Sequence, residues 1–294
     1  MSLRVNGLNL MEPQVMAIVN VTDDSFYAQS RTLSQQAVAA RAEQAIAEGA
    51  TILDVGGYSS RPGAKDIDVE QEWQRVEMGL RAIRSISSDV AISVDTFRSE
   101  VARRSLQEFG PLIVNDISAA ELDPAMVDVL AEYDVPYIAM HMRGTPQTMQ
   151  QNTLYEGDIT SAVCDYFCQR VEFLRSRGVR NVILDPGFGF AKSLKQNHEL
   201  LLNLDRVCAM GYPVLAGVSR KSMIYNLLGS SASDSATLEG TKIINYQALC
   251  QGATILRVHD VKEAVEVIKK YEGLSNKYVG QPLIPKKLYN KSYF

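Results

Sequence analysis

A chain of 294 residues, 46% apolar and 22% charged with only 19 Gly and 10 Pro, has the composition of a folded protein, which excludes disordered, collagen-like and low-complexity classes. With 30 Lys and Arg against 34 Asp and Glu the net charge is −4, so no global field gathers nucleic acid or an anionic membrane surface, and any phosphate recognition must be local. The length fits one large domain or two small ones.

The opening MSLRVNGLNL lacks the charged and apolar stretches of a secretory signal, so a cytoplasmic protein is expected. No run approaches the ~18 apolar residues of a membrane span. The nearest, between Val207 and Val218, is broken by Gly211, Pro213 and Gly217. Cys164, Cys168, Cys208 and Cys250 form no C-x-x-C pair and read as reduced thiols.

In chain order, short β-branched runs alternate with amphipathic segments. VMAIVN (15–20) precedes a helix over 34–48, TILDVGG (51–57) one over 69–87, VAISVDT (90–96) one over 98–109, and PLIVND (111–116) one over 123–133. VPYIAMHM (135–142) leads to a long helix near 158–177, NVILDPG (181–187) to 195–210, YPVLAGVS (212–219) to 221–228 and 234–251, and ATILRVHD (253–260) to 260–272. Gly49, Gly178 and Gly211 stand where helices stop, and Asp123-Pro124 reads as an N-cap followed by a first-turn proline. Strand–helix units repeated in this way predict an α/β fold of the (β/α)8 TIM-barrel type. It would be a single domain over residues 1–274, with a polar, basic extension over 275–294.

Chemistry in that fold lies at the C-terminal ends of the strands, where the loops converge. Those ends carry Asn20, Asp54, Asp95, Asn115-Asp116, His141, Asp185, Ser219-Arg220-Lys221, and Arg257 with His259. Asp95, Asn115 and Asp185 suit a flat heterocycle with an amino-amidine edge, because carboxylates pair with such N–H arrays. Arg257 and His259 are two apart on the last strand and face the same way, so with Asn20 they suit a phosphate or a metal-bound pyrophosphate. Lys221 can donate into the pocket where a helix begins, and the free N–H groups of that helix suit a carboxylate. DVGGYSSRPG (54–63), punctuated by Gly and Pro and carrying Arg61, has the composition of a mobile loop over an anion.

The motifs closely resemble the dihydropteroate synthase family from about Val15 to Glu272. They are NVTDDSF (20–26), DVGGYSSRPG (54–63), SVDT (93–96), NDI (115–117), MHMRGTPQTMQ (140–150), LDPGFGF (184–190), GVSRKSMI (217–224) and RVHDV (257–261). The resemblance implies a cytoplasmic homodimer on a (β/α)8 barrel, an enzyme of folate biosynthesis and the target of sulfonamides. Its reaction joins 4-aminobenzoate to 6-hydroxymethyl-7,8-dihydropterin pyrophosphate with Mg²⁺, giving 7,8-dihydropteroate and pyrophosphate. By the same resemblance Asp95, Asn115, Ile117, Met140, Asp185, Phe190 and Lys221 hold the pterin. Asn20, Arg257 and His259 take the pyrophosphate, with Asn20 on Mg²⁺, while Ser60, Arg61, Pro62 and Ser222 build the aminobenzoate pocket. Lys221, Arg257, His259 and Arg61 carry the catalytic roles; no Ser or Cys nucleophile is needed, and neither nucleic acid nor membrane is a partner.

The first loop departs from the family pattern N-V-T-P-D-S-F-S-D-G-G. Asp23 replaces the proline, and Tyr27-Ala28-Gln29-Ser30 replaces the last four residues, so altered loop kinetics in an active enzyme are expected. Tyr58 stands where the family commonly has glutamate. The alternatives are a pterin-binding methyltransferase, opposed by Ser60-Arg61-Pro62 and GVSRKSM (217–223), and a non-catalytic pterin-binding paralogue.

Overall fold

The computed structural model describes residues 3–21, 28–60 and 66–275. It begins with two short antiparallel strands that the sequence pattern did not announce, β1 (Arg4–Val5) and β2 (Leu8–Asn9). Each β-branched run then forms a strand: β3 (Gln14–Asn20), β4 (Ile52–Gly56), β5 (Ala91–Asp95), β6 (Ile113–Asp116), β7 (Tyr137–Met140), β8 (Val182–Asp185), β9 (Leu215–Ala216) and β10 (Ile255–Val258). They are parallel, in the order β8-β7-β6-β5-β4-β3-β10-β9. The two ends of that order meet through a parallel bridge between Leu184 and Val214, where the Leu184 N–H donates to the Pro213 carbonyl at 2.9 Å. The sheet is thereby nearly closed into a barrel.

The helices between the strands are α1 (Ala28–Glu48), α2 (Val69–Ile86), α3 (Ser99–Phe109), α4 (Met126–Tyr133), α5 (Ile159–Ser176), α6 (Leu194–Leu202), α7 (Leu204–Cys208), α8 (Ser222–Leu228), α9 (Ser235–Cys250) and α10 (Val261–Ser275). Gly49, Gly178 and Gly211 follow their helices at φ of +103°, +91° and +83°, as their placement predicts. Three boundaries differ from expectation, the first being α1, which begins at Ala28 rather than at residue 34. The single helix expected over 195–210 is divided at Asn203, and α4 begins beyond Asp123-Pro124. The Asp123 carboxylate serves two helices: one oxygen accepts the first N–H of α3, at Ser99, at 2.7 Å, and the other accepts the Ala125 N–H at the entry to α4 at 3.2 Å.

Alternation along each strand sorts the core into two parts. Outward residues such as Val15, Ala17, Val19, Leu53 and Val55 pack with helix residues including Val76, Leu80 and Ile83. Inward, one residue from each strand forms an apolar layer: Met16, Ile52, Ala91, Ile113, Ile138, Ile183, Leu215 and Ile255. Leu3, Val5 and Leu10 close this layer from below, which gives the N-terminal hairpin its place as a plug. Among the described residues no helix is long and apolar enough to cross a membrane.

Candidate active site

Because the pleat repeats every two residues, the next inward position on each strand lies two residues beyond the apolar layer. Those positions are Ile18, Asp54, Ser93, Asn115, Met140, Asp185, Gly217 and Arg257. The interior therefore changes from wholly apolar to mostly polar in one step. Arg257 Nε donates to Asp54 Oδ2 and its Nη2 to Asp95 Oδ2, each at 2.6 Å. Asn115 Nδ2 reaches Asp54 Oδ2 at 3.2 Å, and the Gly187 N–H donates to Asp185 Oδ1 at 2.8 Å. Asp54, Asn115 and Asp185 are buried, so these partners offset a large desolvation cost.

Charge in this layer is tuned by its surroundings. Burial pushes the Asp95 carboxyl up to about 7; Arg257 opposes that rise and the nearby Asp54 adds to it. Burial likewise raises Asp185, with Lys221 pulling the other way. Lys221 is lowered to about 8 by burial, and Asp185 holds it from falling further. For Arg257, burial alone would lower the guanidinium, but Asp54 and Asp95 together raise it, so it stays charged.

Lys221 reaches the pocket through a turn at Arg220, which adopts a left-handed φ of +53°, a conformation costly for any residue with a side chain. Arg220 points away to Asp260, with bonds of 2.7 and 2.9 Å, and this ion pair stabilises the turn. Lys221 Nζ donates to the Phe188 carbonyl and lies 4.7 Å from the centre of the Phe190 ring. Phe190 and Phe97 pack against Ile117, Met140, Met142, Met149 and Ala191, an apolar wall beside the acidic floor. The arrangement offers a flat ring one polar edge and apolar cover.

At the rim, the Ser219 hydroxyl accepts the His259 N–H at 3.2 Å and lies 3.3 Å from its Nδ1, which orients the imidazole. Asn20 ends β3 and is exposed. Ser60 is half-buried and Ser222 opens α8 on the exposed side. Arg61 and Pro62 lie outside the described residues, as do Asp23 and residues 276–294 of the tail. Residues 28–30, which the family comparison treats as loop, belong to the backbone of α1.

Tyr58 spans the mouth. Its hydroxyl accepts from Gln147 Nε2 at 2.9 Å, its ring meets Phe97 edge-on at 5.1 Å, and the Arg98 guanidinium lies 5.3 Å from its centre. Arg98 also donates to the buried Glu72 carboxylate at 2.7 Å and to the Ile67 carbonyl at 2.6 Å. One arginine thus ties both flanks of the 61–65 segment to α2.

Three features escaped the sequence reading. Asp54 was recognised at a strand end, but its hold on Arg257 and Asn115 becomes visible only when the strands are aligned by their inward positions. Arg98 carried no motif. Lys192, two residues beyond LDPGFGF, is 3% exposed and hydrogen-bonded to His141 Nδ1 at 2.9 Å.

Residues 16–259 match the family model described as pterin binding enzyme. A dihydropteroate synthase of Streptococcus pyogenes is 41% identical over 256 residues, covering 86% of this chain and 92% of that one. A crystal structure of the Yersinia pestis dihydropteroate synthase with a sulfonamide drug complex superposes with a TM-score of 0.85 at 34% identity, covering 95% of this chain and all of that one. The Xanthomonas albilineans dihydropteroate synthase in complex with 7,8-dihydropteroate gives 0.79 at 31% identity, covering 95% and 96%. The chain belongs to the dihydropteroate synthase family of pterin-binding enzymes.

Proposed function

We propose that the polar layer and its apolar wall bind 6-hydroxymethyl-7,8-dihydropterin pyrophosphate, and that the enzyme condenses it with 4-aminobenzoate to give 7,8-dihydropteroate and pyrophosphate. The observation that carries the reading is the juxtaposition of Asp185, Asn115 and the Asp54–Arg257–Asp95 chain with the Phe190, Met140 and Ile117 wall. Asp185 accepts the amino-amidine edge of the pterin, Asn115 and Asp95 contact the rest of the ring, and Lys221 donates from above. The carbon–oxygen bond of the pterin methylene breaks with its electron pair leaving on pyrophosphate. The amine of 4-aminobenzoate then donates its lone pair to that carbon and loses a proton. The buried carboxylates stabilise the cationic pterin as it develops, while His259, Asn20 and Arg257 receive the departing anion. Two of the three Arg257 nitrogens are engaged by carboxylates, so its part is to carry charge between floor and rim as much as to grip the anion. Ser60, Arg61, Pro62 and Ser222 hold the aminobenzoate.

Among the described residues no group of three or more His, Cys, Asp and Glu could hold a metal by itself. Asn20 offers one amide oxygen, a donor that fits Mg²⁺ shared with a substrate phosphate, since this ion keeps water and takes phosphate oxygens readily. Mg²⁺ held there would supply neutralisation of the pyrophosphate charge. The reading includes a cytoplasmic homodimer: Leu227, Leu228 and Ile243, on the packed pair α8 and α9, are exposed apolar side chains that a second subunit would cover. The deciding experiment is a pyrophosphate-release assay with both substrates and Mg²⁺. Release that requires 4-aminobenzoate supports the reading; pterin uptake without release marks a binding protein.

A further inference from the structure

The segment after β8 has no strand beside it, yet its carbonyls from residue 187 to 192 all accept hydrogen bonds from side chains. Lys192 Nζ serves Gly187 at 3.0 Å and Phe190 at 3.1 Å, and Lys221 serves Phe188. Gln150 serves Gly189 at 3.2 Å, Tyr155 serves Ala191 at 2.9 Å, and Asn197 serves the Lys192 carbonyl at 3.2 Å. Irregular backbone at a buried site needs such donors, because an unmet carbonyl is expensive there. Lys192 supplies two of them, and its third donor direction meets His141 Nδ1 at 2.9 Å.

We propose that Lys192 is a positioning residue for the pterin slot, holding the 187–190 segment so that Asp185, Phe190 and Lys221 keep the spacing a pterin ring requires. The proposal rests on the pterin-binding reading of this pocket. Among the described residues no carboxylate is hydrogen-bonded to this lysine, which is 3% exposed; burial lowers it to about 7 against the pull of Asp185, an unfavourable choice for packing alone. Its bonds converge on the slot. The Gly187 carbonyl and N–H connect Lys192 to Asp185, and the Phe190 carbonyl connects it to the ring that faces Lys221. Gly187 itself admits no replacement: at φ +69° an added Cβ would sit 2.1 Å from the His141 carbonyl oxygen. On the far side, the His141 ring is fixed edge-on against Tyr166 at 4.9 Å. Burial lowers this imidazole to about 2, with Lys192 adding to the effect, so the ring is neutral and its Nδ1 accepts from Lys192 Nζ.

The test compares the intact enzyme with Lys192→Met and Lys192→Gln. Removing these N–H donors should raise the dissociation constant for the dihydropterin pyrophosphate by about tenfold or more, with Lys192→Gln between. The KM for 4-aminobenzoate at saturating pterin should stay within about twofold, because the segment's bonds converge on the pterin side. A folded variant of either kind, with a lowered melting temperature and unchanged pterin affinity, would show a purely structural lysine and overturn the proposal. Wild-type enzyme in which lysine is isotope-labelled gives a readout that needs no variant. The Lys192 Cε resonance should move when the pterin pyrophosphate binds and stay in place with 4-aminobenzoate alone; an unmoved resonance in pterin-bound enzyme also overturns the proposal. Wild-type enzyme that fails to bind the pterin would instead refute the underlying reading of the pocket.

Discussion

Ile183 and Asp185 are neighbours on the same face of β8, yet they belong to different worlds. Ile183 lies in an apolar layer contributed by all eight strands and closed from below by Leu3, Val5 and Leu10. Asp185 lies one pleat higher, among Asp54, Asn115 and Arg257, which are tied to one another, while Asp185 accepts the Gly187 N–H. The difference teaches how the barrel divides its work. The lower layer gains stability from burial, at roughly 25 cal/mol per Å², whereas the upper layer carries a desolvation cost in return for ligand recognition.

The largest expected departure from this division is at Arg257, which bridges two carboxylates. Arg257→Met leaves Asp54 and Asp95 without their cation and should cost about 3 kcal/mol of stability as well as pterin binding. Denaturant unfolding and calorimetry read both losses, and adding Asp54→Asn should recover part of the stability but none of the binding. In the lower layer, Ile113→Ala should cost about 2–4 kcal/mol through the cavity it opens. The folded fraction should keep its kcat/KM, as a steady-state assay at low temperature would show.

The ionisable groups sharpen the comparison through pH. Asp95 is ionised only above about 7 and Lys221 protonated only below about 8. If both must be charged to receive the pterin, kcat/KM for the pterin pyrophosphate is a bell centred between those values. Asp95→Asn should flatten the acid limb and Lys221→Arg the alkaline one. For stability the sign is opposite on the acid side: a raised carboxyl favours the fold at low pH, and this contribution is lost as pH rises through about 7. The smallest expected effect is at the mouth. Tyr58→Phe removes the hydroxyl's bonds with Gln147 and Asp66 at the mouth, worth about 0.5–1 kcal/mol, so it should raise the 4-aminobenzoate KM by no more than about fivefold and leave pterin affinity intact.

Much of this organisation was legible in the chain. The β-branched runs marked every barrel strand, because parallel strands are buried on both faces, and the polar residues that end them marked the rim. The resemblance named Asp95, Asn115, Asp185, Phe190 and Lys221, which the fold gathers around one pocket. Partnerships across the barrel were not legible. Asp54 and Arg257 are separated by some two hundred positions and pair only because β3 lies between β4 and β10. The N-terminal hairpin was missed because two-residue strands leave no periodic trace, and Lys192 because nothing in the sequence distinguishes a buried lysine from an exposed one.

The division of the barrel into two layers is tested most directly by measuring unfolding free energy and pterin affinity together for Ile183→Val and Asp185→Asn. Ile183→Val should lose about 1 kcal/mol of stability and bind the pterin as wild type does. Asp185→Asn should lose pterin affinity by about a hundredfold, at little cost in stability, because it exchanges a buried charge for a neutral group of the same shape. Equal losses of stability and affinity in both variants would contradict the account.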